Sequence, residues 1–184
     1  MSPMEPSTTS HYPTAPKPEP TARHTLAVTV DNEPGVLARI AGMFSGRGYN
    51  IESLTVSETE HAAHVSRITI VTSGTAHVIE QIKSQLERLV PVHGVRDLTV
   101  QGEAIERELA LVKVAGKGEH RVEALRLASA FGAHTIDATL TSFVFELTGA
   151  TDEIDRFIAM MAVVGLVEVS RTGVAAMSRG PEGM

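Results

Sequence analysis

The stretch VTVDNEPGVLARIAGMFSGRGYNIESLTV, Val28 to Val56, changes period twice within 29 residues. Apolar and polar residues alternate up to Val30, which reads as a strand with one buried face. The alternation stops at Asp31-Asn32-Glu33-Pro34-Gly35. Leu37, Ile40, Ala41 and Phe44 then recur at the spacing of one helical face. Gly46 and Gly48 supply residues able to take the positive φ at which helices commonly end. Strand-like alternation resumes at Asn50.

Working outward, Leu26, Val28 and Val30 alternate with Thr25, Ala27 and Thr29, so the first strand begins near His24. Two strand-like runs near 50–58 and 63–72 are joined by the polar ETEHA. Ile79, Ile82, Leu86 and Leu89 stripe a second helix, and VRDLTV closes the unit as a strand. The order β-α-β-β-α-β recurs after QGEAIER. ELALVKV is too apolar for a half-exposed strand and is expected at the centre of a sheet. Ala124, Leu127, Ala128 and Phe131 stripe a helix, HTIDATL and SFVFELTG read as strands, and Ile154, Phe157, Ile158 and Met161 stripe the last helix before LVEVSRTG. Thr151, Asp152, Glu153 and Asp155 suit that helix's N-terminus, where caps and negative charge are favourable. The expected fold is therefore α+β, two tandem ferredoxin-like βαββαβ units. The expected division is a proline-rich disordered tail at 1–23, a first unit at 24–100, a linker at 101–107, a second unit at 108–173 and a tail at 174–184.

Composition narrows the functions open to the chain. A formal charge of -6 disfavours nucleic-acid or anionic-membrane surfaces. With no cysteine, disulfides, thiolate metal sites and Cys nucleophiles are excluded, and a cytoplasmic location fits. No apolar run reaches the roughly 18 residues of a membrane span, and the opening residues have no apolar core of a secretory signal.

Local decoys for catalysis fail on spacing. His61 and His64 in HAAH would point to opposite faces of a strand. AGKGE lacks the P-loop's first glycine, for which Leu111 stands, and its final Ser/Thr, for which Gly118 stands. Gly46-Arg47-Gly48 follows a helix rather than preceding one, unlike a dinucleotide fingerprint. No Ser-His-Asp set can be read from spacing. Catalytic residues: none; metal ligands: none.

The turn at Asp31–Gly35 admits two readings. Pro34 and Gly35 are ordinary turn residues. Equally, amides around Gly35 to Leu37 at a helix N-terminus can receive a small carboxylate. Asn32, and Asn50 at the start of the next strand, offer carboxamides that both donate and accept, at what reads as the same layer. That set suits a free α-amino acid.

DNEPGVLARIAGMFSGRGYNIESLTV resembles the ACT domain of the acetolactate synthase (acetohydroxyacid synthase) small, regulatory subunit. The likeness continues through SRITIVTSG, EQIKSQLERLV, ERELALVKV and RTGVAAMSRG, about residues 24–180. FSGRGYNIESLTV is the specific part. His93-Gly94 departs from the more apolar strand usual there, and Gly94 is a candidate bulge. The resemblance implies that the first unit is an ACT domain and that the chain has no active site or cofactor of its own. It implies a large catalytic partner carrying thiamine diphosphate, Mg²⁺ and FAD, which the small subunit activates and makes sensitive to valine. It also implies a homodimer through the ACT domain, with valine bound by Asn32, Gly35, Val36 and Leu37 of one protomer and Asn50 and Ile51 of the other. The second unit has VKVAGKGEHRVEAL in place of the Asn-x-x-Gly turn, so no amino acid is expected there. The alternative is a stand-alone ACT-domain sensor acting on a different enzyme or regulator.

Overall fold

A computed structural model of the chain describes residues 19–60, 64–100, 104–181 and 183. Most of the expected tail, residues 1–18, lies outside these residues, as do His61 and positions 101–103. In the first unit, β1 (Ala22–Asp31), α1 (Val36–Gly46), β2 (Ser53–Glu60), β3 (Val65–Gly74), α2 (Ala76–Glu87) and β4 (Val92–Asp97) follow one another. Their antiparallel sheet has the order β2-β3-β1-β4. Leu26, Val28 and Val30 point to the helix side, where Ile40, Phe44, Ile79, Ile82 and Leu86 bury against them. The two periods read in the sequence meet in this core.

The second unit repeats the order with β5 (Ile105–Ala115), α3 (Glu119–Phe131), β6 (His134–Ala138), β7 (Ser142–Gly149), α4 (Thr151–Val163) and β8 (Leu166–Arg171). Its sheet runs β6-β7-β5-β8, so β5 is central as its apolar character requires. Phe145 and Phe157 are fully buried among Val112, Ala124 and Ile154. Truncating either phenylalanine to Ala would cost about 3–5 kcal/mol.

Two boundaries differ from expectation. A ninth strand, β9 (Ala175–Met177), pairs antiparallel with Ile105, Glu106 and Arg107 of β5. Residues read as linker and tail are thus strands of a short ladder. Its apolar face meets the helix-free face of the first sheet, where Ala27, Val71, Leu98, Val174 and Ala176 form a third cluster. Burial on both faces explains why β1 is more buried than a half-exposed strand. Ala22 and Arg23 likewise belong to β1 rather than to the tail.

Local chemistry sets the ends of α1. Arg47 and Tyr49 amides return to the Phe44 carbonyl at 3.2 and 3.0 Å, and the Gly48 amide to that of Ser45 at 3.1 Å. Gly48, not Gly46, takes the left-handed conformation, at φ 70°. The candidate bulge is real and sits at His93, since Thr29 pairs with Gly94 and Val30 with Val92.

Candidate functional site

The loop between β1 and α1 is held by its backbone. Asp31 donates its amide to the Pro91 carbonyl at 2.9 Å, and Asn32 donates to that of His64 at 2.7 Å. These bonds leave the Asn32 side chain at the surface, and among the described residues nothing bonds its carboxamide. Gly35 is the N-cap of α1 at φ 89°, where an L side chain is strained. A Cβ there would meet nothing within 4 Å, so the space beside it is open.

The amides differ from expectation in one respect. Val36 donates to the Glu33 carbonyl at 3.4 Å, a long bond that partly satisfies it. Among the described residues no backbone carbonyl accepts from Gly35 or Leu37. The Val36 side chain is buried in the first core, whereas Leu37 is 42% exposed. Ala38 is free in the same way, so among the described residues the helix N-terminus offers three free donors beside the exposed Leu37 side chain.

Asn50 and Ile51 do not share that layer within one chain. The Asn50 carbonyl accepts from the Thr72 hydroxyl at 2.6 Å, and Thr72 pairs with His24 near the start of β1. Asn32 follows the end of β1. Eight residues of strand at ~3.3 Å each separate the two levels, about 26 Å. The cause is topological: β1 and β2 run parallel, both antiparallel to β3, and α1 carries the chain back between them. Ile51 is half-buried against the first core, and Asn50 is exposed. The β2 strand lies at the edge of the sheet, with Val56 46% exposed.

The equivalent turn of the second unit is built from Gly116, Lys117 and Gly118, with no carboxamide. Gly118 caps α3 at φ 58° and ψ -128°, and a Cβ on Gly116 would come 3.2 Å from that of His120.

Spacing does not reveal the polar cleft between the two units. A cavity of about 400 Å³ is lined by Arg23, Glu52, Ser53, Asp155, Arg171 and Gly173, among others. Arg171 donates two hydrogen bonds to the buried Glu108 carboxylate, at 2.7 and 2.6 Å, and a third to Asp155 at 2.7 Å. The bonds to Glu108, with those to Asp155, raise the pKa of the guanidinium against the opposing effect of burial. Arg23 lies 3.2 Å from Glu106 and 3.6 Å from Glu52, and donates to the Thr151 hydroxyl at 3.5 Å. Each of these carboxylates has a guanidinium beside it, two arginines serving four acidic groups. The residues involved are up to 128 positions apart, and only the fold brings them together. Among the described residues no helix is long and apolar enough to cross a membrane.

Comparison with known proteins agrees along both units. Residues 26–94 match the family model described as the AHAS small subunit-like ACT domain, and residues 107–180 match that of the small subunit of acetolactate synthase. The chain is 45% identical over 158 residues to the probable acetolactate synthase small subunit of Archaeoglobus fulgidus, covering 86% of this chain and 98% of the relative. It is 44% identical to the acetolactate synthase isozyme 3 small subunit of Escherichia coli, covering 86% and 96% respectively. The crystal structure of the acetolactate synthase small subunit from Thermotoga maritima superposes with a TM-score of 0.79 at 34% identity, covering 88% of this chain and 99% of that one.

Proposed function

We propose that this chain, which belongs to the acetolactate synthase small-subunit family, is a non-catalytic regulatory subunit acting by binding valine between two first units. It docks on a large catalytic subunit in the cytoplasm, raises its rate and makes it subject to feedback. Thiamine diphosphate, Mg²⁺ and FAD belong to that large subunit, which condenses two pyruvates, or pyruvate and 2-ketobutyrate, with loss of CO₂.

The observation that carries the effector reading is the separation of Asn32 from Asn50. Within one chain they lie at opposite ends of the sheet. A two-fold axis beside the β2 edge turns the second β2 antiparallel to the first. It thereby brings the partner's Asn50 to the level of Asn32. Pairing these edges also satisfies backbone groups that an edge strand leaves open. Valine fits the resulting chemistry. Its carboxylate meets the free Gly35 and Leu37 amides at the positive end of α1. Its ammonium meets carboxamide oxygens. The exposed Leu37 and the partner's Ile51 offer apolar surface to its side chain, and Val36 contributes backbone only.

The test is reconstitution with the large subunit and assay of acetolactate formation with and without valine. The chain alone is expected to form none. Addition to the large subunit is expected to raise its rate, and valine to lower it again. A mixture indifferent to both the small subunit and valine refutes the proposal.

A further inference from the structure

Among the described residues the first unit touches the second through the Arg23–Glu106 pair, through the apolar cluster under β9, where Arg67 also donates to the Ala176 carbonyl at 2.7 Å, and through one crossing of the chain. The Arg23–Glu106 pair is made by long side chains at the surface that can follow small movements. The crossing cannot. After β8 the chain crosses the helix-free face of β2 at Thr172, Gly173 and Val174. The Val174 amide donates to the Ser53 hydroxyl at 3.0 Å, and the Thr55 hydroxyl donates to the Thr172 carbonyl at 3.4 Å. Gly173 lies between them at φ 80°. A Cβ on it would lie 2.7 Å from the Ser53 oxygen and 2.9 Å from the Thr55 oxygen. Backbone rests directly on side chains here, with no room for a methyl group.

Each end of this crossing is fastened. On one side, Thr172 donates its amide to the Leu109 carbonyl at 3.0 Å, and its hydroxyl accepts from the Leu109 amide at 3.1 Å. Arg171, next to it, is clamped by Glu108 of β5 and Asp155 of α4. On the other side, β9 pairs with β5, and Val174 and Ala176 are buried against Ala27 and Val71 of the first sheet. The crossing therefore has little slack. A shift of β2 presses on Gly173 and is passed to β5, β8 and the first half of α4.

We infer that the Thr172–Val174 crossing is the coupling element of regulation: it transmits a change at the β2 edge to the second unit. This rests on the proposal that valine binds at that edge. Close-packed contacts respond to small displacements by switching between arrangements rather than by stretching. Valine bound at the edge biases the position of β2, and the crossing converts that bias into a different placement of the second unit. The Arg23–Glu106 pair at the surface only holds the units together.

Two changes test this in the full-length chain, alone and reconstituted with the large subunit. Gly173→Ala places a methyl group between the two hydroxyls and strains the left-handed turn. The double change Ser53→Ala with Thr55→Val leaves the backbone unstrained and removes both hydrogen bonds. Valine affinity is read by calorimetry on the chain, and feedback by titration of the holoenzyme. Expected in both is a valine Kd within about two-fold of the parent, with the half-inhibiting valine concentration raised about ten-fold, within the usual range of an allosteric coupling. Activation without valine is expected to stay at the parental level. Parental feedback in the folded double variant overturns the coupling role. So does a loss of valine affinity as large as the loss of feedback, because the crossing would then belong to the binding site. Absence of valine binding by the parent chain instead overturns the effector reading, and this inference with it.

Discussion

The two units share one strand order and one arrangement of helices, yet the same junction is built differently in each. Between β1 and α1 the chain places Asn32 at the surface, turns through an unobstructed Gly35 and leaves the Gly35, Leu37 and Ala38 amides free among the described residues. Between β5 and α3 it places Gly116, Lys117 and Gly118, with no carboxamide and with Gly116 close to His120. The helix-free faces differ as well. That of the first sheet is small and hydroxylic, with Thr25, Ala27, Thr69 and Val71, and it is buried under the crossing and β9. A duplicated fold can thus divide its work. One copy keeps an open turn, to which the proposed function assigns the effector, and the other supplies the chain segment that crosses onto its partner unit.

The largest expected effect lies on the second unit's side of the joint. Glu108 is 5% exposed and depends on Arg171 for its charge-assisted bonds. Arg171→Leu leaves that carboxylate buried without its partner and also frees Asp155. Breaking such a pair should cost about 3 kcal/mol, the low end for a buried charge because the guanidinium is partly exposed. Urea unfolding of the full chain followed by circular dichroism measures it. A loss below about 1 kcal/mol, the range of exposed pairs, would mean that solvent reaches Glu108 and that the joint is looser than its geometry.

A middle-sized effect separates the two turns. Asn32→Ala removes a hydrogen-bonding partner of the proposed valine ammonium, worth about 1–3 kcal/mol when the bond is to a charged group. Valine Kd should rise by roughly ten-fold or more, with stability nearly unchanged because the side chain bonds nothing in the chain itself. Lys117→Ala, at the corresponding turn of the second unit, should leave Kd where it was. Calorimetry on both variants makes the comparison, and equal effects at the two turns would erase the asymmetry between the units.

The elements were legible in the sequence to the extent that they carry a period. Leu26-Val28-Val30 and Ile40-Phe44 announced β1 and α1, because each buries one face only. The apolar run of β5 announced a central strand. Residues 174–177 announced nothing, since three residues of strand are too few for alternation to be counted, and the partners of β9 lie some 70 positions away in β5. At the candidate site the residue types were legible and their placement was not. Asn32 and Asn50 read as one layer because a strand–helix–strand repeat hides the direction in which the helix returns. Only the register of β2 on β3 and of β3 on β1 sets them at opposite ends. The joint of Arg23 and Arg171 has no local signal, since arginines and glutamates at these spacings are ordinary surface residues.

The smallest effect is expected at Arg23, and it tests whether this contact between the units is firm or loose. Arg23 reaches across the units to Glu106 and Thr151, whereas Arg171 reaches to Glu108 and Asp155 within the second unit. The residue types match, but the surroundings do not. Arg23 and its carboxylate partners are exposed or half-buried, its contacts run from 3.2 to 3.6 Å, and none is bidentate. Exposed pairs of this kind contribute about 0–1 kcal/mol, since water solvates each charge almost as well as its partner does. Glu52 also accepts a hydrogen bond from Ser73, so it keeps a partner when Arg23 is lost. Arg23→Met keeps the aliphatic stem and removes the charge, and should cost less than 1 kcal/mol in urea unfolding. What loss there is should shrink as salt rises from 0.05 to about 0.5 M, where screening shortens the reach of exposed charges to a few ångströms. A cost as large as that of Arg171→Leu, unaffected by salt, would show that the Arg23 contacts are desolvated. Arg23 would then be a further rigid point between the units, beside the Gly173 crossing and the buried cluster under β9.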